Sequence, residues 1–394
     1  MAPGALIGAY QEDDSGGLRA LLPLAGRTLL EYQVRCASSV GAAPIVVVVE
    51  RVPQALQDAF ERLRLDGIGV FPVSDVHEAV SRFEAGSMIL LIGDGIVPPV
   101  ELIARMAEES EPVVATLRDD DAHEAYERID AEVRWAGVAL VEAGLLGSTA
   151  AMLGDWDLQS TLLRRTLQDG ALRVPIGDGE GEPLLVDRAE QLQDFQRLMI
   201  SSSRAPRTDW VSRYLLPPLE ELATEQLMDS NVRPIWLVWI ALALTLGAAV
   251  AFLEGWPVLA LVFLVVSSPL DIIGARLATL RLRPLPTRLL SRTALWPASG
   301  AALLALGWWD ARHASSWGAF LAAACVAAFA EAARIEKGAL PIPGHEWLFS
   351  RRAGIFAAIP FAIFGAWTGC LVALLAYAAL SFFYIQHARH LRPS

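Results

Sequence analysis

The residue most plainly placed to do chemistry is Asp271. It closes a long apolar run, and Arg276, Arg281, Arg283, Arg288 and Arg292 follow it before the next acid, Asp310. An ionisable group beside a bilayer-length apolar segment is by default a functional-site hypothesis. The arginines either bind a phosphate or lipid headgroup, or only anchor the segment and set its orientation. Both readings stand at this point. The cysteines Cys36, Cys325 and Cys370 are far apart and imply neither a disulfide framework nor a zinc site. His77 and His123 read as solvated.

The elements that must position Asp271 belong to the second half of a divided chain. The 394 residues carry a net charge of -12, unevenly spread. From Asn231 on there are 13 Lys+Arg against 6 Asp+Glu, and so 19 against 38 before it. Two or three domains fit this length. The basic excess sits in short loops beside apolar runs, which suits anionic headgroups or phosphorylated substrates and argues against nucleic acid. MAPGALIGAY has no basic stretch ahead of its apolar run, so no signal peptide is expected and the acidic half stays where it is made.

Residues 3–10, 43–50 (APIVVVVE), GIGVFPV and SMILLIGDG read as buried strands, with helices between them from about Thr28, over VPQALQDAFERLRL and over VHEAVSRFEA. That alternation predicts a parallel α/β sheet covered on both faces. VRWAGVALVE and ALRVPIG continue as strands, WDLQSTLLRRTLQDG and RAEQLQDFQRLMI as helices. Residues 201–207 read as a polar hinge, and 208–228 as an amphipathic element at the membrane interface, with Trp210 and Tyr214 suited to that depth. Six membrane helices are expected at about 234–253, 257–276, 293–309, 317–333, 353–368 and 370–386, the last two turning at Gly365, Thr368 and Gly369. Arginine and lysine concentrate in loops 276–292 and 334–352 and in the tail. This places both termini in the cytoplasm of a multi-pass protein of the inner membrane.

The stretch LRALLPLAGRTLLEY resembles the Lys-Pro-Leu-Leu-Pro-Val-x-Gly-Lys-Pro-Leu-Leu-Glu pattern of sugar-phosphate and MobA-like nucleotidyltransferases, through Leu21, Leu22, Pro23, Gly26, Leu29, Leu30 and Glu31. WAGVALV resembles the strand carrying the family's Ala-Gly-Ile step. The resemblance covers about residues 3–200 and implies a Rossmann-like, GT-A type α/β nucleotidyltransferase fold. It puts Arg19 and Arg27 at the phosphate-binding lysines, Asp94 of LLIGDG at the first metal-binding aspartate, and Asp187 of LLVDRAEQLQDF at the second, with Mg²⁺ as the ion. The plainer readings are a turn acid for Asp94, a helix N-cap for Asp187 and a surface arginine for Arg19. The family's glycine-rich loop is here LIGAYQEDDSGGLR, with Glu12, Asp13 and Asp14 where triphosphate should lie. Like charges there oppose binding unless a metal intervenes.

DIIGAR resembles part of the Asp-x-x-Asp-Gly-x-x-Ala-Arg…Gly-x-x-x-Asp-x-x-x-Asp motif of CDP-alcohol phosphatidyltransferases, through Asp271, Ala275 and Arg276. Ser268, Ile272, Leu285, Leu289 and Thr293 replace its other aspartates and glycines. One carboxylate does not hold two Mg²⁺ ions, so Asp271 reads as a vestigial catalytic position, and no cofactor is expected in the membrane half. Ser212, Arg213 and Tyr214 resemble the joint of fused inositol-phosphate cytidylyltransferase–phosphatidyltransferases. SRRAGIF resembles a later family stretch, keeping Arg351 and Phe356 and departing from it at Arg352 and Gly354.

These resemblances imply a nucleotidyltransferase-like cytosolic domain (1–200), a hinge with an interfacial helix (201–232) and an all-α, six-helix membrane domain (233–394). They imply a protein related to phospholipid head-group synthesis whose membrane half is inactive. The alternative is an active CTP-dependent enzyme that makes a phosphoalcohol lipid. Candidate phosphate or headgroup ligands are Arg19, Arg213, Arg276 and Arg351. The expected partners are a membrane lipid, CTP or a CDP-alcohol, and a second copy of the chain.

Overall fold

The computed structural model describes residues 2–152, 157–176, 181–202, 209–228, 230, 232–283, 290–338 and 342–390. The chain divides into two compact units, Met1–Met199 and Ile200–Ser394.

The first unit is built on strands β1 (Gly4–Gly8), β2 (Pro23–Leu24), β3 (Arg27–Thr28), β4 (Ile45–Val48), β5 (Val70–Val73), β6 (Met88–Ile92), β7 (Ile96–Val97), β8 (Val113–Arg118), β9 (Val133–Glu142), β10 (Leu172–Pro175) and β11 (Leu184–Leu185). Its helices are α1 (Leu29–Ser39), α2 (Gln54–Leu65), α3 (Val76–Ser81), α4 (Val100–Glu108), α5 (Ala143–Ala150), α6 (Leu158–Gln168) and α7 (Ala189–Ser202). Seven strands form one sheet in the order β10-β8-β9-β6-β1-β4-β5. The β1, β4 and β6 side chains come from uninterrupted apolar runs and are buried on both faces.

The sheet is mixed, which corrects the all-parallel expectation. β1 is parallel to β4 and β6, β5 to β4, and β10 to β8, whereas β9 runs antiparallel to both β6 and β8. Side-chain alternation does not record strand direction, and VVATLR forms a further strand, β8, beyond those expected from the sequence. Gly137 sits within β9 at φ +81°, and a Cβ there would lie 2.4 Å from Ile96. Only glycine fits this close approach of β9 to the chain beyond β6.

Thr28 starts α1 through a capping box with Glu31, where the sequence placed the helix start. Asp157 caps α6.

The second unit opens with a π-helical turn at Val211–Leu215 and α8 (Pro217–Met228). Helices α9 (Pro234–Leu253), α10 (Pro257–Leu280), α11 (Leu290–Ala314), α12 (Gly318–Lys337), α13 (Arg351–Ile363) and α14 (Trp367–His390) follow. Among the described residues, four of them, α9, α10, α12 and α14, are long and apolar enough to cross a membrane. α13 has only 13 residues and contains Pro360. The turn between α13 and α14 falls at Phe364–Ala366, with Gly365 at φ +65°. Thr368 and Gly369, expected in the turn, lie in the first turn of α14. Pro269, Pro297 and Pro360 sit inside α10, α11 and α13. Small residues set the packing: a Cβ on Gly307 of α11 would come within 2.5 Å of Ala323 of α12.

Candidate functional site: a strand-end carboxylate pair in the α/β unit

Asp94 follows β6, at the C-terminal edge of the strands, where open α/β sheets bind ligands. The turn after it is fixed from two sides. Gln33 of α1 donates its amide to the carbonyls of Gly93 (3.0 Å) and Ile96 (2.7 Å). Gln159 of α6 donates to the Ile92 carbonyl (3.1 Å) and accepts from the Asp94 backbone N–H (3.2 Å). Asp94 itself is 4% exposed. Its Oδ2 accepts the backbone N–H groups of Tyr10 and Gln11, each at 2.7 Å, so it holds the start of the loop after β1. Its buried Oδ1 has no hydrogen-bond partner.

Asp187 arrives at the same place from far along the sequence. β11 pairs antiparallel with β7, and Val186 donates its N–H to the Gly95 carbonyl (2.8 Å). Gly95 stands at φ +74°, and a Cβ there would lie 3.0 Å from the Val186 carbonyl and 3.1 Å from Arg19 Cδ. Arg19 joins the group: its Nη2 is 2.8 Å from Asp187 Oδ1, Nη1 donates to Gln11 Oε1 (3.0 Å) and Nε to the Glu12 carbonyl (3.0 Å). The structure thus brings together Arg19, Asp94 and Asp187. Arg27 lies elsewhere in the unit, in a half-buried group with Glu31, Arg35 and Arg62.

The acidic loop is less hostile to phosphate than its sequence implies, because each acid has a partner. Asp13 Oδ1 accepts from Ser15 N, Ser15 Oγ and Gly17 N, which curls the loop. Glu12 pairs with Arg51 at 2.7 Å and Asp14 with Arg188 at 2.5 Å. Tyr10 donates its hydroxyl to Asp157 (2.6 Å), and burial and then Asp157 push its pKa far up. Burial also raises the Asp94 carboxyl to about 6, against the pull of the Gln11 and Tyr10 N–H groups and the Arg19 charge. Sequence reasoning missed Gln33, Gln159, Tyr10, Arg51 and Arg188. Buried glutamines in apolar helices were the one signal available for the first two.

In the second unit the candidate arginines are engaged internally. Arg352 is central: Nη2 meets Asp271 Oδ2 at 2.7 Å, Nη1 meets Asp209 Oδ2 at 3.1 Å and Nε donates to the Ser268 carbonyl at 3.2 Å. Arg352 had counted only as a departure from a family pattern. Arg351 donates to Ser299 Oγ (2.9 Å), Thr245 Oγ1 (3.1 Å) and Ser267 Oγ (2.9 Å), and its Nη1 is 3.9 Å from Asp271 Oδ1. Arg276 and Glu220 form a buried pair at 3.0 Å. Arg213 reaches Glu346 at 3.3 Å. Arg281, expected among headgroups, is buried and donates to the carbonyls of Leu227, Met228, Ser230 and Val232, capping the C-terminus of α8. Leu285, Arg288, Leu289, Asn231, Arg392, the hinge residues 203–207 and the Arg292 side chain lie outside the described residues. Among the described residues, no group of three or more His, Cys, Asp or Glu side chains is placed to hold a metal.

A mixed sheet with a carboxylate at the central strand end, a second carboxylate following the late strand β11 that pairs with β7, and an arginine beside them has the layout of a nucleotidyltransferase. The family of MobA-like NTP transferase domains matches residues 15–214, just over half of the chain. The chain belongs to that family. No curated protein matches it. Among solved structures it is similar to a protein assigned as a glucose-1-phosphate thymidylyltransferase from Bacillus anthracis, solved in complex with a sucrose. That similarity has 12% identity and a TM-score of 0.40, over 50% of this chain and 94% of that one. No CDP-alcohol phosphatidyltransferase family is found for the helical half, so the resemblance drawn from DIIGAR gains no support there.

Proposed function

We propose that the α/β unit is a nucleotidyltransferase carried on a membrane-embedded helical unit. It would join a nucleoside monophosphate from an NTP, with CTP the first candidate, to a phosphorylated acceptor. The observation that carries this reading is the meeting of Arg19, Asp94 and Asp187 at the strand ends. In the reaction an acceptor phosphate oxygen attacks the α-phosphorus. The new P–O bond forms as the bond from that phosphorus to the α–β bridging oxygen breaks, and pyrophosphate leaves with the electron pair.

The residues present fit Mg²⁺. Asp94 offers a buried oxygen with no hydrogen-bond partner, and Asp187 a second carboxylate. Mg²⁺ is commonly held by one or two carboxylates together with substrate phosphates. When bound, the ion neutralises phosphate charge as the P–O bond breaks. Arg19 is positioned to meet phosphate, and the N–H groups of Tyr10 and Gln11, tied to Asp94, fix the loop that approaches it. The test is release of pyrophosphate from each of the four NTPs by the full-length protein with candidate phosphorylated alcohols. Turnover that Asp94→Asn removes supports the reading. Turnover that survives Asp94→Asn refutes it.

For the helical unit we propose that it does not catalyse phosphoalcohol transfer. Asp271 and Asp209 are both held by Arg352, and among the described residues no group of three or more His, Cys, Asp or Glu side chains is placed to hold a metal. Phosphoalcohol transfer from a CDP-linked donor, abolished by Asp271→Asn, would overturn that.

A further inference from the structure

The helical unit contains a partly enclosed cavity of about 150 Å³ among α9 to α14. Phe252, Leu264, Leu303, Ile355, Trp367 and Leu374 give it apolar walls, and Arg351 and Ser299 form its polar part. Arg351 begins α13 and Trp367 begins α14. A short turn reverses the chain between them, so they mark opposite ends of the helix pair. The lining residues span the helix pair, but the open volume is that of about six carbon atoms, so it takes a short length of one hydrocarbon chain. Apolar cavities near 150 Å³ stay dry and take apolar guests.

The polar end selects the guest's other half. Arg351 is buried, and three hydroxyls, of Ser299, Thr245 and Ser267, hold its Nε and Nη2 and fix its direction. Its Nη1 stands 3.9 Å from Asp271 Oδ1, beyond hydrogen-bond range, while Arg352 takes the other oxygen, Oδ2, at 2.7 Å. A guanidinium so placed, with donors left over, matches a phosphate or carboxylate.

We propose that this cavity takes the first few carbons of one acyl chain of an anionic amphiphile, with its headgroup at Arg351. The two sources of that chemistry are an anionic phospholipid of the bilayer and a free fatty acid. The site is independent of the nucleotide reading and stands or falls without it.

The test uses the full-length protein in nanodiscs of phosphatidylcholine. Each preparation carries a trace of a probe with its diazirine within about the first six carbons of the chain: phosphatidylglycerol, phosphatidylcholine or a fatty acid. After irradiation, labelled peptides are mapped by mass spectrometry. Gly300 lines the cavity, and a Cβ there would meet nothing within 4 Å, so Gly300→Leu fills the space without a clash. The expected result is labelling of 296–306 or 351–358 by an anionic probe, at least fivefold above phosphatidylcholine, and at least fivefold lower in Gly300→Leu. The unfolding temperature of that variant should be unchanged or higher. Arg351→Gln should erase the preference for the anionic probe. Phosphatidylglycerol and fatty acid are told apart by which one labels, and either supports the site. Equal labelling of wild type and Gly300→Leu overturns the proposal. So does labelling confined to outward residues such as Val372 and Leu380, or equal labelling by anionic and zwitterionic phospholipid with no labelling by fatty acid.

Discussion

Asp94 and Asp271 each follow or close an apolar segment, and each keeps one buried oxygen without a hydrogen bond. Their other oxygens differ. Asp94 Oδ2 accepts two neutral backbone N–H groups, and the nearby Arg19 is committed to Asp187. Asp271 Oδ2 meets the Arg352 guanidinium, with Arg351 beyond it. A divalent cation approaching Asp94 gains a partner whose charge is uncompensated by direct contact. One approaching Asp271 must displace or face two guanidiniums. The same side chain is therefore paired with a guanidinium in one unit and held only by neutral N–H groups in the other.

The largest expected effect tests the Asp94 site. Asp94→Asn keeps the oxygen that holds the loop and removes the charge. Pyrophosphate release should fall on the order of 10²–10³-fold, the scale seen when one electrostatic contact to a transition state is lost. Asp271→Asn should leave that release unchanged. Equal losses in both variants would dissolve the distinction between the two acids.

The next effect tests the Asp271 site. Removing one partner of a fully buried ion pair costs about 3–5 kcal/mol. The Asp271 side chain is 19% exposed and Asp209 still holds Arg352, so we expect roughly 2 kcal/mol from Asp271→Asn. Thermal unfolding in nanodiscs reads it. Arg352→Met with Asp271→Asn should cost less than the sum of the two single changes, since the double change leaves no charge unpaired at position 271, while Asp209 loses Arg352 equally with or without it.

The pH dependence of Asp94 sharpens the contrast further. Its folded pKa, about 6, lies above the ordinary 3.8, so burial penalises the ionised form. Well below pH 3.8 the group is protonated folded or unfolded and contributes nothing. Stability then falls as pH rises towards 6, by about 3 kcal/mol at 1.36 kcal/mol per unit. Asp94→Asn should therefore raise the unfolding temperature of the α/β unit at pH 7–8 and by much less at pH 4. A gain that is the same at both pH values would show that the carboxylate is not strained by burial.

Much of this was legible in the sequence, for reasons that particular residues show. Strands β1, β4 and β6 announce themselves as apolar runs because both faces are covered. Arg19, Asp94 and Asp187 were named together from local motifs, and the fold brings them together. The reversal of β9 was not legible, since nothing in VRWAGVALVE encodes direction. Nor were the pairs Arg352–Asp209 and Arg276–Glu220, which join residues 143 and 56 positions apart. Basic residues at helix ends look alike whether they face headgroups or a buried acid, and Arg281 turned out to cap a helix.

The smallest effect concerns the acids of the loop after β1. Glu12 and Asp14 are more than half exposed, so their pairs with Arg51 and Arg188 contribute little and are screened by salt. If those arginines exchange carboxylate for phosphate when a nucleotide arrives, Glu12→Gln and Asp14→Asn remove the competitor. KM for the NTP should then drop about three- to fivefold at low ionic strength, and the difference should vanish near 0.5 M salt. Asp13 is the internal control, because its carboxylate binds Ser15 and Gly17 of the loop itself. Asp13→Ala should raise KM, and salt should not restore it. A rise in KM for all three variants would mean that the acids only shape the loop. The cations beside it would then have no exchange to make, and Asp94 would be open to an ion without a phosphate-binding rim.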